Sequence, residues 1–211
     1  MSEAKPRDFS KAAATWDADP RRTALARAVA EAIARETPLD GAMQALEFGC
    51  GTGLVGLQLA PRFAHLTAVD NAPGMLAALE EKARAAGLAN VTAWLSPAGP
   101  PSLPESPYDL VFSCMVLHHV PGTAELLSLF FRGLRPGAIL ALADLDAEDG
   151  SFHDNPAGIA HHGFDRNQLR ELAEAAGFEA VRFVTACRIT KKREQGPRGY
   201  PVFLLLARRP A

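Results

Sequence analysis

Hydrophobic and polar positions along the chain switch repeatedly between two arrangements. Short apolar runs at 45–48, 66–69, 91–95, 110–114 and 138–143 show little alternation with polar residues, the pattern of strands covered on both faces. Between them, apolar residues recur at helical spacing. Leu25, Val29 and Ile33 lie on one face of a segment that opens with Asp19 as a cap and Pro20 at the first helical position and ends near Arg35. A second such segment, 73–86, starts at Pro73 and is stopped by Gly87. Helices are expected after each of the first four runs, which gives a parallel sheet wound with helices. Beyond Asp144 the pattern breaks into a polar segment, 146–163, whose polar residues and Gly150, Pro156 and Gly158 leave little to pack into a core; if it is a lid, it should be mobile without ligand. A capped helix at 165–176 with Gly177 as its stop follows, then two strand-like runs at 179–185 and 200–207. Residues 96–107 form a proline-rich loop, and no internal repeat interrupts the order.

Composition fits one domain over 1–211, since 48% hydrophobic and 22% charged residues are ordinary for a globular chain of 211 residues. A net charge of −2 provides no general field for a polyanion, and Lys191, Lys192 and Arg193 make the one clear basic run. No nucleic-acid partner is expected. The opening residues lack the apolar core of a signal peptide and no stretch reaches 18 apolar residues, so neither a membrane span nor export is expected and the reading is cytoplasmic. Cys50, Cys114 and Cys187 form no C-x-x-C pair, which argues against a disulfide framework or a zinc knuckle. No apolar element is left obviously exposed; a monomer or weak homodimer is expected.

Candidate chemistry begins with the stretch GCGTGLVG at 49–56. Gly51, Gly53 and Gly56 make the G-x-G-x-x-G spacing of a dinucleotide site, whereas Gly49, Gly51 and Gly53, preceded by Glu47, make G-x-G-x-G after an acid. Either spacing lets backbone approach a ligand closely. The glycine loop, Asp70, Ser96, His118, His119 and Asp144 all fall at or just beyond strand ends, where ligands bind in open α/β sheets. Asp70 follows Gly53 by 17 residues, placed to accept both hydroxyls of a ribose, a group both kinds of cofactor contain. A short-chain dehydrogenase would need Tyr-x-x-x-Lys, but Phe112 and Leu204 stand four residues after the two tyrosines, Tyr108 and Tyr200. Little chain remains for a separate substrate domain. Glu47, by contrast, could receive the ammonium of an aminoacyl nucleoside.

Four segments in register carry a resemblance: LEFGCGTG (46–53), AVDNAPGML (68–76), YDLVFSCMVLHHV (108–120) and GLRPGAILALAD (133–144). Together they resemble the successive motifs of the class I S-adenosylmethionine-dependent methyltransferases, over roughly 9–207. The resemblance implies a Rossmann-like doubly wound sheet of seven strands, mostly parallel, with the last antiparallel and paired to the sixth. It further implies S-adenosylmethionine as cofactor, with Gly49, Cys50, Gly51 and Gly53 under the methionine part and Glu47 near its amino group. Asp70 would take the ribose, Asn71 and Met75 would flank the adenine, and Ser113, Cys114 and Met115 would line the sulfonium side. The leading segment, 1–40, would cover the cofactor, with Trp16 as its aromatic. Many relatives place an aspartate after the third strand to accept from the adenine amine; Ser96 or a loop carbonyl stands in for it here.

The acceptor is less legible. An amide-nitrogen methyltransferase often carries N/D-P-P-Y after the fourth strand, where this chain has SCMV. His118, His119, His153, His161 and His162 fall in segments facing the cleft, and imidazole titrates near neutrality. Neighbouring helical residues point about 100° apart, so His118 and His119 cannot both address one atom. His119, His153 and His161 are the candidate catalytic residues, and His65 is read as structural. A metal held by Asp144, Asp146, His153 and His161 is the weaker reading for want of tight ligand spacing. A small-molecule acceptor is expected. The alternatives are a macromolecular acceptor docked on Lys191 to Arg193 with Arg208 and Arg209, and a dinucleotide-dependent oxidoreductase or a nucleotide-binding module.

Overall fold

Seven strands form one sheet in the order β3-β2-β1-β4-β5-β7-β6 in a computed structural model that describes residues 7–97, 99–105, 107–193 and 196–211. The first six residues of the expected cover lie outside them. Central strands β1 (Gln44–Phe48), β4 (Tyr108–Cys114) and β5 (Leu134–Leu145) are the apolar runs of the sequence, buried on both faces. Leu46 stands between Thr67 of β2 (His65–Asp70) and Val111 in parallel register. β3 (Val91–Leu95) forms one edge, and its Leu95 is half exposed. At the other end β7 (Gly196–Arg208) runs antiparallel between β5 and β6 (Glu179–Arg193), as expected.

Helices cover both faces. α2 (Pro20–Glu36) begins where Asp19 accepts from the backbone N–H of Arg21 at 2.9 Å, and it buries Ala26, Val29, Ala30, Ala32 and Ile33 against Phe63, Phe112 and Tyr200. α5 (Thr123–Gly133) and α6 (Arg166–Ala175) pack with Phe48, Phe178 and Phe203 on the other face. α4 (Pro73–Ala85) follows β2 and buries Met75, Leu76, Leu79 and Ala83. Two of the expected helices are reduced or missing. Between β1 and β2 there is one turn, α3 (Gly56–Leu59), and a 3₁₀ turn, Ala60–Arg62. Between β3 and β4 no helix forms among the described residues, because Pro97, Pro100, Pro101, Pro104 and Pro107 remove helix donors. No helix among the described residues is long and apolar enough to cross a membrane.

Two segments frame the carboxyl edge of the sheet. α1 (Phe9–Trp16) buries none of its own residues fully and lies on α4. Gly74 N donates to Ser10 Oγ at 3.2 Å, and a Cβ at Gly74 would come within 2.4 Å of Ser10 O. Asp17 at the end of α1 accepts from Thr52 Oγ1 at 2.6 Å and from Lys82 Nζ at 2.7 Å. Segment 146–163 is not the unanchored cover expected of a polar stretch. Phe152 is buried against Tyr200, Ser151 Oγ meets Tyr200 Oη at 2.8 Å, Arg193 donates to Phe152 O at 2.7 Å, and Arg198 pairs with Asp149 at 2.6 Å. The long β6–β7 hairpin, which carries the basic run, is what holds it.

Candidate functional site

The glycine loop is fixed by the ends of two strands. Gly49 N and Cys50 N donate to Val69 O at 2.8 and 2.9 Å, and Gly51 N donates to Asp70 Oδ2 at 2.7 Å. Both Gly49 and Gly51 have positive φ, 70° and 53°, which favours glycine. Their surroundings differ. A Cβ at Gly49 would lie 2.3 Å from Val116 Cγ2, whereas a Cβ at Gly51 would meet no protein atom within 4 Å. Gly49 thus lets the loop pack on the chain after β4, and Gly51 leaves space for a ligand.

That space is a cleft of about 360 Å³ along the carboxyl edge of the sheet. Of the residues singled out in the sequence, Trp16, Glu47, Gly49, Cys50, Gly51, Asp70, Asn71, Met75, Ser96, Cys114, Met115 and His119 line it. Glu47 reaches it from β1 with 2% of its surface exposed and Oε2 lacking a hydrogen-bond partner. Burial first, and Asp70 second, push its carboxyl well above the usual range, the mark of a buried acid without a cation. Asp70 accepts from Gly51 and, through Oδ1, from Ala72 N at 2.9 Å, while burial raises its pKa. Each of its oxygens retains a further lone pair. Met115 holds φ 59°, a costly conformation for a side-chain-bearing residue, with its N–H bonded to Ala143 O at 2.8 Å.

Four expected residues do not line the cleft. Gly53 serves packing, since a Cβ there would press on Leu57 at 2.9 Å. Ser113 is fully buried, and its hydroxyl donates to Phe48 O at 2.7 Å, tying β4 to β1. His161 is spent on structure: Nε2 donates to Val120 O at 3.0 Å and lies 3.3 Å from Thr123 Oγ1. The His153 ring lies 4.9 Å from that of His118, with Nε2 buried and unpartnered. Burial, with His118 and His119 adding to it, lowers its pKa to about 4.

A buried pair lies behind the cleft. His118 Nδ1 donates to Asp144 Oδ1 at 2.7 Å, and the His118 backbone N–H donates to Oδ2 at 3.2 Å; the side chains are 2% and 0% exposed. Asp144 therefore does not border the cleft. The His118 carbonyl accepts from Ala160 N and His161 N, joining 146–163 to the turn Leu117–His119. His119 faces the cleft instead. Its Nδ1 donates to Gly158 O at 2.9 Å, its ring packs edge-on against Phe9 at 5.5 Å, and burial, then His118, lower its pKa. Asp146, one of the possible metal ligands, is held by Arg166 at 2.6 and 2.8 Å, and no set of three or more His, Cys, Asp or Glu side chains among the described residues is arranged for a metal. Phe9, Arg22, Leu25 and Val116 also line the cleft. No spacing in the sequence marks Phe9, Arg22 and Leu25, because α1 and α2 reach the strand ends only through tertiary packing.

Residues 45–137 match a family described as a methyltransferase domain. An uncharacterized methyltransferase of Emericella nidulans is 29% identical over 82% of this chain and 70% of its own length. A trans-aconitate 2-methyltransferase of Streptomyces avermitilis is 33% identical over 69% of this chain and 55% of its own. These matches, with the four segments in register, support a class I S-adenosylmethionine-dependent methyltransferase. The chain spans little more than half of the Streptomyces relative. The fold of this methyltransferase is also that of phosphoethanolamine N-methyltransferase 2 of Haemonchus contortus in complex with S-adenosyl-L-methionine, with TM-score 0.69 and 19% identity over 86% of this chain and 52% of that one. The methyltransferase matches support S-adenosylmethionine as cofactor, and the cleft suits it. The orphaned Glu47 oxygen matches an ammonium, Asp70 matches a diol, and the open space at Gly51 leaves room between them.

Alanine at Asp70 is expected to weaken S-adenosylhomocysteine binding about 10- to 100-fold, because hydrogen bonds to a charged acceptor contribute roughly 1.5–3 kcal/mol. Calorimetry on a folded variant checks this. Undiminished affinity would remove Asp70 from the ribose site.

Proposed function

We propose that this methyltransferase methylates a proton-bearing oxygen or nitrogen of a small molecule, with His119 as general base. The observation that carries this reading is the hydrogen bond from His119 Nδ1 to Gly158 O at 2.9 Å. With Nδ1 donating, Nε2 of the neutral ring is left as an acceptor, and the lowered pKa keeps the ring neutral at pH 7. Bound S-adenosylmethionine supplies a methyl group activated by its cationic sulfur. The chain's own residues then have three tasks. Cys114, Met115 and Val116 form a wall that excludes water, Phe9 and Trp16 close the cleft from α1, and His119 accepts the proton the nucleophile loses.

A small acceptor is supported by the relative named for trans-aconitate. Of the basic run, Lys191 and Arg193 are engaged with Asp154, and Arg198 beside it with Asp149, which weighs against a polymer-docking surface. The test is transfer of a labelled methyl group into a metabolite extract, with mass identification of the product. A labelled small molecule is the expected outcome. Label appearing only in protein or RNA would overturn the acceptor class, and binding of NADH in place of S-adenosylhomocysteine would overturn the chemistry.

A further inference from the structure

The basic run at the end of β6 has no task in the reading above, yet its arginine makes three bonds to the neighbouring segment and strand. Arg193 Nη2 donates to Phe152 O at 2.7 Å, Nη1 to Asp154 Oδ1 at 2.5 Å and Nε to Tyr200 Oη at 3.1 Å. One guanidinium thus grips the residues on both sides of His153, and Lys191 Nζ adds bonds to the same two. Asp154 is 71% exposed, so its ion pair adds little. The hold rests on the part-buried Phe152 carbonyl and Tyr200 hydroxyl, which the arginine fork reaches together. The gripped stretch leads to the cleft. The His153 ring lies 4.9 Å from that of His118 and 6.2 Å from that of His119. Further along the same segment, Gly158 O accepts from His119 Nδ1 at 2.9 Å. Asn155 Oδ1 accepts from Ala157 N and Pro156 O from Ile159 N, both at 3.0 Å, so 155–159 is a turn strung between two anchors. Arg193 supplies one. The His118 carbonyl, which accepts from Ala160 N and His161 N, supplies the other.

We propose that Arg193 is a positioning residue for His119: from the end of β6 it fixes the segment whose Gly158 carbonyl holds the ring with Nδ1 donating and Nε2 left to accept a proton. This rests on the general-base reading above. Releasing the Arg193 anchor lets the Gly158 carbonyl turn away, and the ring then loses both its orientation and its tautomer.

Long-range proton–nitrogen NMR of histidine-labelled protein reads the tautomer directly, with the His119→Ala spectrum assigning the signal. Wild-type protein, Arg193→Ala and Arg193→Lys are compared in that spectrum across pH, in labelled methyl transfer into the metabolite extract, in calorimetric titration with S-adenosylhomocysteine and in melting curves. Wild-type His119 should carry its proton on Nδ1. Arg193→Ala should give a mixture of tautomers and slow transfer about 10- to 100-fold while S-adenosylhomocysteine affinity stays within about twofold, and Arg193→Lys should fall between. The midpoint of the His119 titration should also rise toward 6.5, because burial is the main cause of its lowered pKa and outweighs the Gly158 bond, which acts the other way. His118, Asp144, Arg7 and His153 also face the ring and are the same in all three proteins. A retained Nδ1 tautomer in Arg193→Ala, or equal losses of transfer and cofactor affinity, would reduce Arg193 to a structural tie and overturn the role. Should Arg193→Ala melt below the assay temperature, Arg193→Lys decides, since it keeps the charge and loses the fork. A wild type with the proton on Nε2, or a lost tautomer with transfer undiminished, would overturn the general-base reading and this role with it.

Discussion

Replacing Asp144 with alanine is expected to lower the free energy of unfolding by about 3–5 kcal/mol, the usual range for breaking a buried ionisable pair from one side. Three buried donors converge on this carboxylate: His118 Nδ1, the His118 backbone N–H and the Leu145 backbone N–H, at 2.7, 3.2 and 2.7 Å. Asp144 is fully buried at the end of β5, so no water can replace the lost acceptor without entering the sheet. The substitution Asp144→Asn keeps one acceptor oxygen and should therefore cost less. Urea unfolding checks both, and the midpoint should fall at unchanged slope if the native fold persists. A local readout accompanies it. Amide exchange at Ala160 and His161, both bonded to His118 O, should quicken before the rest of the sheet. An unchanged midpoint would show that the pair contributes nothing net.

Most of the sheet was legible because its central strands are apolar on both faces and their limits are marked by glycine, proline or an acid. β1, β2, β3 and β4 end within a residue of their expected positions. β6 and β7 run further than expected because their outer halves carry charged and polar residues that no apolar pattern marks. That extension packs on Phe152 and Tyr200, which join the core beneath α2. The same tertiary link holds 146–163. A single phenylalanine in a polar stretch does not announce an anchor, yet its burial fixes the segment.

The site divides in the same way. The placement of the glycine loop and Asp70 was readable because it depends on backbone at strand ends, and sequence order alone brings them together. Ser113, His153 and His161 were misplaced because their role depends on where one side chain points. Ser113 turns to the Phe48 carbonyl, and His161 turns to Val120. Arg22 left no trace in the sequence, since a second arginine in a capped first turn reads as solvated surface until Trp16 is found stacked on it.

Among the histidines, His119 alone both lines the cleft and keeps a ring nitrogen available, so alanine there is expected to lower turnover about 10²- to 10⁴-fold. Affinity for S-adenosylhomocysteine should stay within about threefold, roughly 0.7 kcal/mol. The sign of the pH dependence follows from the environment of the ring. A base works only when unprotonated, and burial, then His118, lower the His119 pKa below its ordinary 6.5. In the wild-type enzyme kcat/KM should therefore climb as pH rises through a value below 6.5 and then hold level across neutrality. The His119→Ala variant should lose that acidic limb along with its rate. His161→Ala serves as the comparison, because Nε2 there is bonded to Val120 O and the residue does not line the cleft. It should keep the limb and lose stability instead. A pH profile retained in His119→Ala, or turnover undiminished, would take the proton away from His119 and leave positioning by Phe9, Trp16 and the wall after β4 as the source of the rate.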